Sequence, residues 1–270
     1  MKQHTLKRET SISGIGLHTG KEVTIRIKPA GANAGITFIR ADRKGKPRIK
    51  AELDNVTSTV RGTNLGGIFT VEHLLSALYS TSVNNAEIEI TGSEPPALDG
   101  SSLGFCRLIK KAGIAAQRAD MRRINLTGPI SVGEEGKCII AVPSDRFIIS
   151  FMLNYPSDFI GSQFYRFQFG PKDYLKDIAP ARTYGFLSEV SGLKRSGLAK
   201  GASRENAVVI GVDRYLTKLR FKDELVRHKI LDLIGDLSLL GADIKAHIIC
   251  IRSGHDLNIK LAKKISREVD

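Results

Sequence analysis

The chain has 270 residues, 41% of them hydrophobic and 26% charged, a balance that excludes an intrinsically disordered protein and fits one large domain or two of ordinary size. Its net charge of +13 leaves two readings open: a basic solvated surface, or an anionic partner such as a nucleic acid, a phosphorylated metabolite or an acidic membrane face. No apolar run approaches the ~20 residues of a membrane-spanning helix.

Met1-Lys2-Gln3-His4-Thr5 opens into mixed polar sequence without an apolar signal core, so a cytoplasmic protein is expected. Alternating apolar and polar residues at Val23-Thr24-Ile25-Arg26-Ile27 predict a strand, and Ile36-Thr37-Phe38-Ile39 predicts another after a glycine-rich turn. Residues 71–79 read as a helix with Thr70 as its N-cap, Ala86-Glu87-Ile88-Glu89-Ile90 as a strand, and residues 101–112 as a helix closed by Gly113. Residues 115–123 are polar and aperiodic and read as a linker. Strands are then expected over 123–131, 137–142 and 147–153, helical segments from Lys172, Glu205 and Phe221, a strand over 246–252 and a last helix over 256–267. The fold class predicted is α+β, in two halves of similar size, 1–120 and 121–270.

Three side chains define other limits. Cys106, Cys138 and Cys250 are odd in number, far apart and without metal-ligand spacing, so a disulfide framework is not expected and reduced core thiols are. No zinc-finger or RNA-recognition pattern accompanies the positive charge, and the basic stretches at 40–50 and 260–267 interleave with apolar residues. A nucleic-acid partner is therefore not predicted.

The most readable element is the helix from Phe221 to Leu240. Val226, Ile230, Leu233, Leu237 and Leu240 recur every three or four residues as an apolar stripe, while His228, Asp232 and Asp236 follow at i, i+4 and i+8 on another face. A His and an Asp four apart on a helix can point at one metal ion, or form an ordinary ion pair. Glu72 and His73 are adjacent, hence about 100° apart around a helix. They suit a ligand and a neighbouring base better than two ligands of one ion, and a solvated Glu beside a half-buried His is the plainer alternative. His255, in Ser253-Gly254-His255-Asp256 after an apolar strand, has a common functional placement and equally that of an idle turn histidine. Taken together, these residues are the parts of a mononuclear zinc hydrolase. Two His and one Asp leave a coordination position for a water, whose pKa zinc lowers to about 7. A carboxylate can accept that water's proton and a histidine can protonate the departing amine.

The chain also carries Ser13-Gly14-Ile15-Gly16-Leu17-His18-Thr19-Gly20-Lys21, Thr70-Val71-Glu72-His73-Leu74-Leu75-Ser76-Ala77-Leu78 and Leu98-Asp99-Gly100-Ser101. Further on come Ala181-Arg182-Thr183-Tyr184-Gly185-Phe186, Val226-Arg227-His228-Lys229 with Asp232, Gly235-Asp236 and Ser253-Gly254-His255. In this order, and over essentially the whole chain, these motifs resemble those of the UDP-3-O-acyl-N-acetylglucosamine deacetylases. The resemblance implies two similar α+β domains, each a helix layer on a β-sheet, with the active site between them. It implies one zinc per chain on His73, His228 and Asp232, a site that also accepts Fe2+. Glu72 would be the general base, His255 the proton donor, Asp236 its orienting carboxylate and Thr183 the hydroxyl that stabilises the oxyanion.

The resemblance further implies substrate contacts. Lys229 would meet the nucleotide diphosphate or the sugar, and Arg252 likewise, where Lys is common in the family. Tyr184, Phe186, Gly254, Leu17 and Thr63 complete the implied contacts, with an insert near 187–205 forming an apolar tunnel for an acyl chain. The implied reaction releases acetate from a UDP-3-O-[(3R)-3-hydroxyacyl]-N-acetylglucosamine, the committed step of lipid A biosynthesis. The implied protein is a monomer that contacts a membrane peripherally at most. Two positions depart from the family pattern: Tyr184 stands where Phe is common, and Tyr155, before Pro156, where a His is expected. A silent basic binding module is the competing reading, and the intact set Glu72, His73, His228, Asp232 and His255 argues against it. A third reading keeps the enzyme class with another N-acyl sugar as substrate.

Overall fold

The computed structural model describes residues 1–157 and 159–269. In chain order the first half contains β1 (Lys2–Leu6), β2 (Thr10–Ile15), β3 (Glu22–Pro29), β4 (Ile36–Arg40), β5 (Arg48–Lys50), β6 (Val56–Ser58), β7 (Asn64–Leu65), α1 (Glu72–Ser80), β8 (Ala86–Ile90), α2 (Leu103–Ala112) and β9 (Ile114–Asp120). The second half contains β10 (Arg123–Asn125), β11 (Ile130–Glu134), β12 (Lys137–Pro143), β13 (Ile148–Asn154), β14 (Ser162–Gln168), α3 (Pro171–Asp173, continuing as a wider turn over Tyr174–Ile178), β15 (Tyr184–Phe186), α4 (Leu187–Arg195), β16 (Val208–Ile210), α5 (Glu224–Leu237), β17 (Asp243–Ile251) and α6 (His255–Val269). The protein is α+β.

Two mixed sheets dominate, and they share one topology. The first runs β2-β3-β8-β4-β5 and the second β11-β12-β17-β13-β14, with β10 added beside β17. In each, the late strand of its half (β8 or β17) enters the middle, antiparallel to one neighbour and parallel to the other. The alternation read at 86–90 is the reason β8 sits there: Ala86, Ile88 and Ile90 are buried, while Glu87 and Glu89 stand on the other face beside Arg48 and Lys28. Helix α1 packs against both α2 and α5, and α5 against α6, so helices from the two halves meet. Most of the buried apolar residues form one continuous core.

Several expectations are corrected. The supposed linker is β9, antiparallel to β1 with Leu6 opposite Ile114. Its small alanines give only a half-buried face, and its pairing partner is the distant first strand of the chain, so no local pattern announced it. Thr70 does not cap α1: it has φ +55°, and Val71 is the N-cap, without a side-chain bond. No helix starts at Glu205; that stretch leads into β16, parallel to β15. Residues 123–131 divide into β10 and β11. Cys106 and Cys250 are core residues and Cys138 is half-buried, all as free thiols.

Candidate active site

The candidate side chains come from the ends and faces of three helices. Glu72 and His73 open α1, His255 opens α6, and His228, Lys229, Asp232 and Asp236 lie along α5. Gly235 brings α1 and α5 together. A Cβ on it would stand 2.2 Å from the backbone carbonyl oxygen of Glu72. Only a residue without a side chain lets that first turn of α1 rest directly on α5.

His73, His228 and Asp232 converge. Their donor atoms all lie within 4.8 Å of one another. The His228 Nε2 is 3.2 Å and the His73 Nε2 3.6 Å from Asp232 Oδ1. His228 donates its Nδ1–H to the carbonyl of Ala181 at 3.1 Å. Burial lowers its pKa to about 3, so the ring is neutral and Nε2 is a lone pair. That lone pair faces a carboxylate oxygen which is itself buried and has no hydrogen-bond partner. Two buried acceptors confronting each other form an arrangement that a cation would resolve. Burial works against the Asp232 charge, but the neighbouring cationic groups, among them the Lys229 ammonium 2.7 Å from Oδ2, hold its pKa well below the carboxylate range. Two imidazole nitrogens and one carboxylate oxygen are a donor set suited to zinc or a related divalent metal.

Beside this cluster stand a carboxyl group and a third imidazole. Glu72, Asp232 and His255 likewise bring donor atoms within 4.8 Å of one another. Burial pushes the Glu72 pKa up. Its Oε2 accepts the Thr63 N–H at 2.9 Å, and its Oε1 lies 4.0 Å from His73 Nε2. His255 donates Nδ1–H to Asp236 Oδ2 at 2.9 Å. Burial disfavours its charge, yet Asp236, by charge and by hydrogen bond, raises its pKa to about 9. Its Nε2 is then a donor too, 3.8 Å from Asp232 Oδ2. The Asp236 carboxylate, fully buried, also accepts from the Asn258 side-chain amide at 2.8 Å and from the Thr63 hydroxyl.

These groups face a cleft of about 460 Å³. Leu17, Thr183, Tyr184, Phe186 and Lys229 line it with Glu72, His73, His228, Asp232 and His255. Leu187, Val190 and Leu193 of α4 form an apolar wall, although no residue of α4 is buried. Thr183 is held by its N–H on the Gly100 carbonyl at 2.8 Å. Gly100, with φ +81°, is pressed so close to Asn206 that a Cβ there would meet the Asn206 carbonyl oxygen at 1.9 Å. The two departures from the family pattern meet in the cleft: Tyr155 donates its hydroxyl to that of Tyr184 at 3.0 Å and packs edge-on against Phe186.

Four expected site residues lie outside the cleft lining. Asp236 and Thr63 are fully buried behind it. Gly254 accepts the Asn258 N–H in the first turn of α6. Arg252 is exposed and directs its guanidinium toward Gly136. Sequence reasoning missed Asn258 and the Ala181 carbonyl, and noted Tyr155 only as a departure from the family pattern. Asn258 alone had a local signal, lying one helical turn after His255.

The model of the family described as UDP-3-O-acyl N-acetylglycosamine deacetylase matches residues 3–267. A UDP-3-O-acyl-N-acetylglucosamine deacetylase of Citrifermentans bemidjiense is 41% identical over 99% of this chain and 90% of its own length. Proteins of the same description from Trichormus variabilis and Helicobacter hepaticus are each 40% identical over 98% of this chain, covering 98% and 90% of their own lengths. With nearly its whole length matched, this chain belongs to the UDP-3-O-acyl N-acetylglycosamine deacetylase family.

Proposed function

We propose that the protein is a zinc-dependent amidohydrolase that removes acetate from a UDP-3-O-(3-hydroxyacyl)-N-acetylglucosamine, the committed step of lipid A biosynthesis. The observation that carries this reading is the buried, partnerless Asp232 Oδ1 facing His228 Nε2 and His73, directly beside Glu72 and His255. The names of the relatives supply the substrate.

In this reading His73, His228 and Asp232 hold one zinc per chain, and Fe2+ can take its place. Zinc, when bound, acts as a Lewis acid that activates water and polarises the amide carbonyl. Glu72, beside ligand His73, accepts the proton of the attacking water. Thr183, on the cleft wall, donates to the carbonyl oxygen as it gains charge. His255, held protonated by Asp236, gives its Nε2 proton to the sugar nitrogen as the C–N bond breaks. Water's hydroxyl ends on acetate, the amine leaves with the His255 proton, and the proton taken up by Glu72 goes back to His255 to restore both groups. Lys229, Tyr184, Phe186 and Leu17 contact the substrate, and the apolar wall of 187–205 receives the acyl chain. Arg252 and Gly254 contribute from beyond the cleft edge.

The chain divides at 120/121 into two domains with the site between them, a division supported by the repeated strand order of the two sheets. No helix among the described residues is long and apolar enough to cross a membrane. The reading is of a cytoplasmic monomer, in peripheral contact with a membrane at most and without a nucleic-acid partner. The test is an assay of acetate and free amine from the UDP-linked 3-O-acyl substrate. Equimolar release by zinc-loaded protein is expected. No acetate from that substrate, with acetate from another N-acyl sugar, would move the protein to a different substrate class.

A further inference from the structure

Thr63 was expected to touch substrate, yet it is fully buried and bonds to Glu72, to the Asp236 carboxylate that holds His255, and to His255 itself. Its N–H donates to Glu72 Oε2 at 2.9 Å. Its carbonyl accepts the Val71 N–H at 3.1 Å, immediately before Glu72, so the backbone of Thr63 grips the start of α1 at two points. Its hydroxyl goes the other way, to Asp236 Oδ1 on α5, and the hydroxyl oxygen also lies 3.4 Å from His255 Nδ1. The hydroxyl donates this bond and the carboxylate accepts it. The other Asp236 oxygen takes the His255 Nδ1–H at 2.9 Å and the Asn258 amide at 2.8 Å. One residue in the turn between β6 and β7 thus bonds to the carboxylate that begins α1 and to the carboxylate that aims the histidine beginning α6.

We propose that Thr63 is a positioning residue that fixes the proton acceptor Glu72 and the proton donor His255 relative to one another. The proposal rests on the base and acid roles given above. Its physical content is a division of labour within one residue. The backbone amide fixes the Glu72 carboxylate whatever side chain stands at 63. The hydroxyl fixes the tilt of Asp236, and with it the His255 ring, because Asp236 has no solvent to turn toward. The β-branched side chain has few χ1 choices, so a hydroxyl here stays aimed. Replacing it by an isosteric methyl leaves the buried Asp236 Oδ1 without its donor. The carboxylate then rotates toward its remaining donors, and His255 turns with it. Glu72, still held by the Thr63 amide, stays in place.

The test uses the zinc-loaded full-length chain with T63V and T63S, and measures kcat, KM, bound zinc and thermal stability. Loss of a bond that orients a reacting group costs roughly 10–100-fold in activity. T63V should therefore lose about that much in kcat, with KM changed by less than about twofold and zinc content unchanged. T63S, which keeps the hydroxyl, should return to within about threefold of wild type. In a double-mutant cycle with Asp236→Asn, the double variant should be no slower than D236N alone, because both changes release the same histidine. The role is overturned if T63V keeps wild-type kcat, if T63S is as slow as T63V, or if the two changes add independently. Should T63V not fold, T63A is read by the same kcat and KM split. Wild-type protein that releases no acetate would instead overturn the base and acid roles themselves.

Discussion

Gly235→Ala gives the sharpest geometric prediction. The added Cβ would lie 2.2, 2.8 and 2.9 Å from the carbonyl oxygen, carbonyl carbon and Cα of Glu72. All three are helix backbone, so no rotamer change relieves the clash. Reaching even a 3.0 Å contact requires α1 to retreat from α5 by about 0.8 Å. Metal sites hold their ligand distances to about ±0.2 Å, so the retreat carries His73 several tolerances away from His228 and Asp232. Alanine is the better helix former by ~0.5–1 kcal/mol, whereas overpacking costs ~1–3 kcal/mol; the net effect is a modest loss of stability and a larger loss of metal affinity. Competition with a chelator, followed by acetate release per bound zinc, measures both. Zinc affinity should fall by about tenfold or more, while Gly128→Ala, with nothing near its Cβ position, should change neither. Wild-type zinc affinity and activity in G235A would refute the claim that this crossing sets the ligand geometry.

Three further outcomes follow from the same geometry. Glu72→Ala should keep zinc and lose ~10²–10⁴-fold in kcat; loss of zinc with unchanged activity per metal would reassign Glu72 as a ligand. Asp236→Asn should move the basic limb of the pH–kcat/KM profile to lower pH, since Asp236 is what raises the His255 pKa to about 9. In the metal-free protein the folded pKa of His255 lies above its ordinary 6.5, so that pair's stabilisation is full below pH 6.5 and fades as pH rises through about 9. Denaturant titrations should show that slope in wild type and not in D236N, and an equal slope in both would remove the pair as its source. Arg182→Met should cost roughly 3–5 kcal/mol in urea unfolding, because Glu224, fully buried, loses its guanidinium partner at 2.8 Å; a change under about 1 kcal/mol would show that the remaining amide donors suffice.

How far the sequence could be read depended on how local the causes were. His228 and Asp232 were legible because one helical turn joins them, and the stripe from Val226 to Leu240 fixed that helix. In the structure this stripe does not leave the other face open: His228, Asp232 and Asp236 are as buried as the leucines, because α1 covers them. That covering comes from a non-local crossing at Gly235 that no periodicity reveals. The strand β9 was invisible for the same reason, since its partner lies more than a hundred residues away. Helix α4 was hidden differently. Leu187, Val190 and Leu193 have helical spacing but face a cleft rather than a core, so they looked too sparse to count. Thr70 looked like a cap by composition, but its N–H is held by Asn64 in a left-handed backbone. Thr63 carried no pattern at all, because Glu72, Asp236 and His255 lie nine, 173 and 192 positions away.

The central claim is that His73, His228 and Asp232 hold the metal on which hydrolysis depends. The direct measurement is a titration of metal-free protein with zinc, reading bound metal and acetate release from the same samples. The account predicts that activity rises in proportion to bound zinc and saturates at about one ion per chain, with no saturable binding in His228→Ala. Full activity in the metal-free protein, or tight stoichiometric zinc binding retained by His228→Ala, would contradict it.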